Sequence, residues 1–251
     1  MSYTPFEVRV MPLFFYYLLL SILGLLLTIK MFSKWRQRKV PAPFYLSLVF
    51  IFFTTALIAL TIGLSEAVIT GFYKEIYRFS LPFAYGMVLC ADFFLFIFVS
   101  QITDKGGKAV IPLIIIGIGI FIMLFLPWNW WGVPPEDYEG LLHIRIYSTL
   151  CLILYSYVVY VLIAITCRKA MKKTDDKITS AGLNLLFYSM ISMIFFFLMF
   201  IGDTLMISIF DHPGYSEFVY VAWMFAILFY ILSYLSLVMP KWLVNWINRK
   251  K

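Results

Sequence analysis

The chain has 251 residues, of which 63% are hydrophobic and only 13% charged, whereas a soluble domain carries about 25% charged residues. That leaves too little polar surface to cover a water-soluble globule. The net charge of +7 invites a nucleic-acid reading, but the basic residues are sorted by membrane side, so that reading is excluded.

Apolar runs of about 20 residues match a hydrocarbon core of about 30 Å at 1.5 Å per residue. They are too long and too continuous for the strands of a membrane barrel. The spacing predicts seven helices in turn, over 10–29, 44–65, 81–101, 109–126, 144–166, 181–210 and 218–239. The first run has no basic segment before it and is followed by Lys30, Lys34, Arg36, Arg38 and Lys39. This is a stop-transfer pattern, not a cleaved leader. The sixth run is too long for a single upright span, so a tilt or a projection beyond the membrane is expected.

Of the 20 lysines and arginines, 16 fall in four segments: Lys30–Lys39, Lys105–Lys108, Arg168–Lys177 and the C-terminal tail. The opposite side carries Arg9, Lys74, Arg78 and Arg145. The positive-inside rule then places the N-terminus outside and the C-terminus in the cytoplasm. Glu7, Glu66, Glu75, Glu136, Asp137, Glu139, Asp211 and Glu217 fall on the outer side. Trp128, Trp130 and Trp131 mark its boundary, as amphipathic rings favour the headgroup level.

The expected fold is an all-α membrane protein, a seven-transmembrane helix bundle over residues 1–240. A short basic amphipathic cytoplasmic tail, WLVNWINRKK, occupies 241–251. It reads either as a helix lying on the inner leaflet or as a frayed end. The expected location is the cell membrane, with multiple crossings.

Two carboxylates lie inside apolar runs, Asp92 and Asp203. Such groups cost about 2.5–3.5 kcal/mol on insertion scales, so they are expected to face the protein interior. Asp92 falls near the midplane of helix 3 and Asp203 in the outer third of helix 6. They read either as part of a polar cavity opening outward with Asp92 at its floor, or as hydrogen-bonding anchors for helix packing. Tyr220, Trp223 and Tyr230 lie close to one face of helix 7. Together with Tyr85 of helix 3 they are candidates for lining an aromatic ligand pocket. On helix 2, Ser47, Thr54, Thr61 and Ser65 share a face. That stripe reads as close packing with hydroxyl bonds across helices, or as a polar transport path. Gly117 and Gly119 give helix 4 a flat face for a partner.

His143 and His212 sit at or beyond outer helix ends, which argues against paired haem ligation. Helix 7 holds no lysine for a retinal Schiff base. The chain carries no His-Glu-x-x-His zinc motif and no Gly-rich phosphate loop. Cys90, Cys151 and Cys167 read as small hydrophobes without a disulfide framework. No enzyme, metal or cofactor is expected.

Two stretches, YKEIYRFSLPFAYGMVLCADFFLFIFVSQITDKGG from Tyr73 and KITSAGLNLLFYSMISMIFFFLMFIGDTL from Lys177, together with Pro240 after helix 7, resemble the seven-transmembrane sensor region at the N-terminus of some prokaryotic histidine kinases. No output domain follows Lys251, so the resemblance implies a sensor module that signals through a separate cytoplasmic or membrane protein. The expected function is a receptor-like or sensor-like module holding a small or lipid-like ligand in an outward-facing cavity among helices 3, 5, 6 and 7. The alternatives are a transporter or a structural subunit of a membrane complex. Membrane lipids are expected partners, and nucleic acid is not.

Overall fold

Seven long helices take up the seven apolar runs, and a short eighth follows them. The computed structural model describes residues 3–39, 41–103, 107–130, 140, 144–210, 212 and 214–249. The helices are α1 (Met11–Arg38), α2 (Pro41–Thr70), α3 (Glu75–Thr103), α4 (Val110–Leu124), α5 (Arg145–Met171), α6 (Lys177–Phe210), α7 (Glu217–Val238) and α8 (Lys241–Arg249). The first seven are long and apolar enough to cross a membrane, which makes this a multi-pass membrane protein by length and composition. Trp131, Glu136, Asp137, Glu139, His143 and Asp211, named above, lie outside the described residues.

The predicted spans for α4 and α7 agree with the structure to within two residues. The other five helices run further, because a backbone ladder once started continues through good helix formers such as the lysines and arginines after the apolar run of α1. α1 stops at Lys39, which adopts a left-handed conformation (φ 51°) and returns its N–H to the Trp35 carbonyl at 2.7 Å. Pro41 then opens α2, where a missing N–H costs nothing.

The chain packs as two units, one of Met1–Ile97 with Gly106–Tyr155 and one of Phe98–Lys105 with Ser156–Lys251. α3 and α5 each run from one into the other.

In the first unit α1 lies against α2. Val10, Leu13, Tyr17, Leu20, Leu27 and Met31 are buried, while Phe15, Leu18, Ile22, Leu25 and Ile29 are exposed. Both sets repeat every three to four residues, so a helix apolar all round still has a protein face and a lipid face. The hydroxyl stripe of α2 is engaged with α1 and with its own helix. Ser21 meets Thr61 at 3.4 Å and Thr28 meets Thr54 at 3.5 Å. Thr61 and Ser65 donate to the carbonyls of Leu57 and Thr61, each at 2.7 Å. Gly24 leaves the space that the Thr54 side chain fills. This is the small-residue, hydroxyl-bridged contact that membrane helices use.

α2 and α3 approach at Gly63, opposite Ser80 and Tyr77. Glu66 of α2 accepts the Tyr77 N–H at 2.9 Å, capping the first turn of α3. A two-residue antiparallel ribbon, β1 (Thr4–Pro5) with β2 (Phe72–Tyr73), joins the chain start to the α2–α3 turn. Phe6 N–H extends it to the Gly71 carbonyl at 2.9 Å.

In the second unit α6 and α7 form a long helix pair. The Ser189 and Ser233 hydroxyls meet at 2.7 Å, Ser192 donates to the Phe225 carbonyl at 2.7 Å, and Ser236 donates to the Gly182 carbonyl at 2.8 Å. Phe195 stacks on Phe225 at 5.4 Å, and Phe196 meets Trp223 edge-on at the same separation. α8 packs on α6 through its buried Leu243 and leaves Trp242 and Trp246 exposed on one face. Within the tail, Lys241–Arg249 are helical.

α6 begins at a carboxylate cap. Asp176 accepts the backbone N–H groups of Ile178 (3.4 Å) and Thr179 (2.9 Å) and the Thr179 hydroxyl, an N-cap arrangement. The Thr179 hydroxyl and then its amide hold the Asp176 carboxyl below its ordinary range. A carboxyl lowered by folding stabilises fully above the ordinary aspartate range, and that contribution fades as pH falls through the lower folded-state value. The Thr179 amide resonance is thus expected to titrate with a midpoint below the ordinary value of about 3.9, and Asp176→Asn is expected to abolish the titration. A midpoint at or above the ordinary value would refute the cap.

Candidate functional site

α4 is the thinnest-covered of the seven long helices, a run of isoleucines broken by two glycines. Leu113, Gly117, Ile120 and Leu124 form its buried face, and Ile111, Ile115, Ile118 and Ile122 are exposed. Opposite that face α3 presents Leu89, Cys90, Phe93 and Phe94. Between the two helices lies a groove of about 250 Å³, lined also by Tyr155 of α5 and by Phe121. Its walls are almost entirely carbon.

Two glycines shape the groove. At Gly86 of α3 an added Cβ would come within 2.9 Å of both the Phe121 and Phe125 rings, which stack on each other at 4.5 Å. Gly86 therefore seats the stacked Phe121–Phe125 pair. At Gly117 an added Cβ would sit 3.7 Å from the Tyr155 hydroxyl and 3.9 Å from Leu89 Cδ2. These are ordinary contacts, so the missing side chain at 117 is open volume. Gly119 has nothing within 4 Å and lies away from the groove. The two glycines read from sequence as one flat face are separate in the structure.

Asp92 is completely buried (0% exposed). It follows the groove-lining Cys90 by two residues on α3 and is not itself among the residues that line the groove. The groove thus has an apolar bore with the Tyr155 phenol in its lining.

The six residues singled out from sequence divide between the units. Tyr85 and Asp92 belong to the first. Asp203, Tyr220, Trp223 and Tyr230 belong to the second. Within the second unit, Asp203 is buried (8% exposed). Its Oδ1 accepts the Ser216 N–H at 2.9 Å and the Ser216 hydroxyl at 2.7 Å, tying α6 to the N-cap of α7. Trp223 is buried between Phe196 and Phe200 of α6. Tyr230 is buried and Tyr220 half-buried. Trp223 and Asp203 thus take part in α6–α7 packing.

Of the groove-lining residues, sequence reasoning singles out Gly117 and names Cys90 as a small hydrophobe. It did not reach Leu89, Phe93 or Phe121, which are indistinguishable from any other apolar residue of a span. The available signal was glycine within an isoleucine run, since such a helix has no propensity reason for one.

Among the described residues no group of histidine, cysteine and acidic side chains is placed to hold a metal ion. Compared with protein-family models, curated proteins and solved structures, the chain matches none.

Proposed function

We propose that this chain is a receptor-like or sensor-like membrane module that takes a lipid-like ligand, an acyl chain or a similarly slender apolar molecule, into the α3–α4 groove. The observation that carries this reading is the groove itself, with its apolar bore, the open volume at Gly117, and the Tyr155 phenol in its lining. Ligand sites are apolar clefts with a few polar groups that fix orientation. The orientation proposed from the basic residues has the N-terminus outside and the tail on the cytoplasmic side.

Of the three helices that line the groove, α3 and α5 continue into the second unit and α4 does not. Occupancy then bears directly on both continuous helices. A ligand biases such a system only through differential affinity for its states. Output passes to a separate protein partner at the basic cytoplasmic surface. The hydroxyls of α2 are engaged with α1 and with helix carbonyls, which gives the transport alternative no support from that stripe.

The test uses the whole chain in lipid nanodiscs with a photoactivatable fatty acid. Crosslinks are expected in the peptides holding residues 89–94 and 113–121. Gly117→Leu fills the open volume and is expected to reduce labelling by about tenfold or more, the equivalent of ~1.4 kcal/mol. Gly117→Ala, which makes only ordinary contacts, is expected to retain it. Labelling spread evenly over the exposed isoleucines, or unchanged in Gly117→Leu, would sink the proposal.

A further inference from the structure

Arg78 stands in the first turn of α3 and is 3% exposed. Among the described residues its only ion pair is with Glu75, through Nη1 at 3.3 Å, and that carboxylate is itself largely solvent-exposed (side chain 62%). Nε and Nη2 are closed off from solvent and have no hydrogen-bond partner among the described residues. These two nitrogens form the side edge of the guanidinium, which offers two parallel N–H groups. That edge binds carboxylate or phosphate bidentately. A buried cation with both donors of one edge unmade is costly, and in folded proteins such groups are explained by a partner or an ion.

The surroundings favour an anion. The Tyr3 ring lies 5.0 Å from Arg78 Cζ and 6.0 Å from Lys74 Nζ. The Arg78 N–H is bonded to the Lys74 carbonyl at 3.0 Å. Two cations thus share one aromatic cover. That cover is light. Tyr3 is held by its hydroxyl on Glu75 at 3.4 Å and by the two-residue β1–β2 ribbon that follows it.

We infer that Arg78 is the binding residue of an oxyanion site, taking a phosphate or carboxylate on its Nε–Nη2 edge when Tyr3 lifts from the guanidinium. This site is separate from the α3–α4 groove and does not depend on the reading of that groove. The same oxyanion chemistry is supplied by a lipid phosphate or by a free anion.

The experiment measures the thermal stability of the full chain in neutral detergent against inorganic phosphate and acetate. It also uses native mass spectrometry of the chain released from phosphatidylglycerol nanodiscs. In the wild type, either stabilisation by the soluble anions or retention of the lipid is expected. The first places the anion in solution, the second on a lipid. Arg78→Lys keeps the charge but loses the fork, and is expected to weaken the effect about tenfold or more, the loss of one charge-assisted hydrogen bond. Tyr3→Ala removes the cover and is expected to leave binding intact or tighter. No anion or lipid effect in the wild type would overturn the inference, as would an undiminished effect in Arg78→Lys. So would strongly non-additive destabilisation between Arg78→Gln and the joint neutralisation of Glu136, Asp137 and Glu139, because the anion would then belong to the chain.

Discussion

Gly63→Ala is expected to destabilise the protein by about 1–3 kcal/mol, the range for forcing an extra carbon into a packed contact. In an open stretch of helix the same change is favourable by roughly 0.5–1 kcal/mol, because glycine loses more backbone entropy. The sign reverses at Gly63 because an added Cβ would sit 2.7 Å from Ser80 Cβ and 3.1 Å from Tyr77 Cα. The second contact is backbone and cannot rotate away. Relief would require α2 and α3 to separate where Glu66 reaches across to cap α3 at Tyr77, so the clash and the cap are coupled. Ser80→Gly removes the nearer obstacle, and the double variant is expected to be less destabilised than the sum of the two single changes. Gly119→Ala, with nothing within 4 Å, is the control and is expected to be neutral or stabilising. Reversible denaturation in mixed micelles measures all four. Equal effects at 63 and 119 would mean that the close approach of α2 to α3 is not real.

The helices were legible because lipid leaves a long backbone segment no other way to satisfy its polar groups. Their ends were not. α1 passes straight through its basic segment to Arg38, and α3 starts at Glu75, six residues before its apolar run. Hydropathy marks where the hydrocarbon begins, while the backbone ladder stops at a cap or at a left-handed residue such as Lys39. The β1–β2 ribbon carries no alternation, because two residues are too few to show a period. The serines joining α6 to α7 were also missed. Ser189 and Ser233 are common in membrane helices, and their pairing depends on the register of two helices 44 positions apart. Asp92 and Asp203 stood out on charge alone, since an ionisable group at that depth must have a reason. Arg78 did not. At a helix start a basic residue looks like an ordinary interfacial anchor, and only its burial makes it unusual.

Asp203→Ala is the other substitution expected to have a large effect, about 1–3 kcal/mol, the cost of leaving buried donors without an acceptor. Ser216, which is 1% exposed, gives both its N–H and its hydroxyl to Asp203 Oδ1. As N-cap of α7 it makes no side-chain cap bond of its own. The carboxylate thus stands at the positive end of the α7 dipole, a placement worth roughly 0.3–1 kcal/mol at ordinary exposure. Asp203→Asn keeps an acceptor but removes the charge, so its cost is expected to fall between that of the wild type and that of alanine. Ser216→Ala removes only the hydroxyl donor and is expected to cost less than Asp203→Ala, with the pair coupled in a double-mutant cycle. Near this junction, Gly202 gives the Phe218 ring room that an added Cβ would narrow to 2.9 Å. Losing the carboxylate is therefore expected to loosen this end of the α6–α7 pair first. Hydrogen exchange at Ser216 and Val219 should rise in Asp203→Ala before it rises near Ser189 and Ser233. Uniform loss of protection along α6 and α7 would show instead that the two helices open as one unit and that the Asp203–Ser216 tie has no local role.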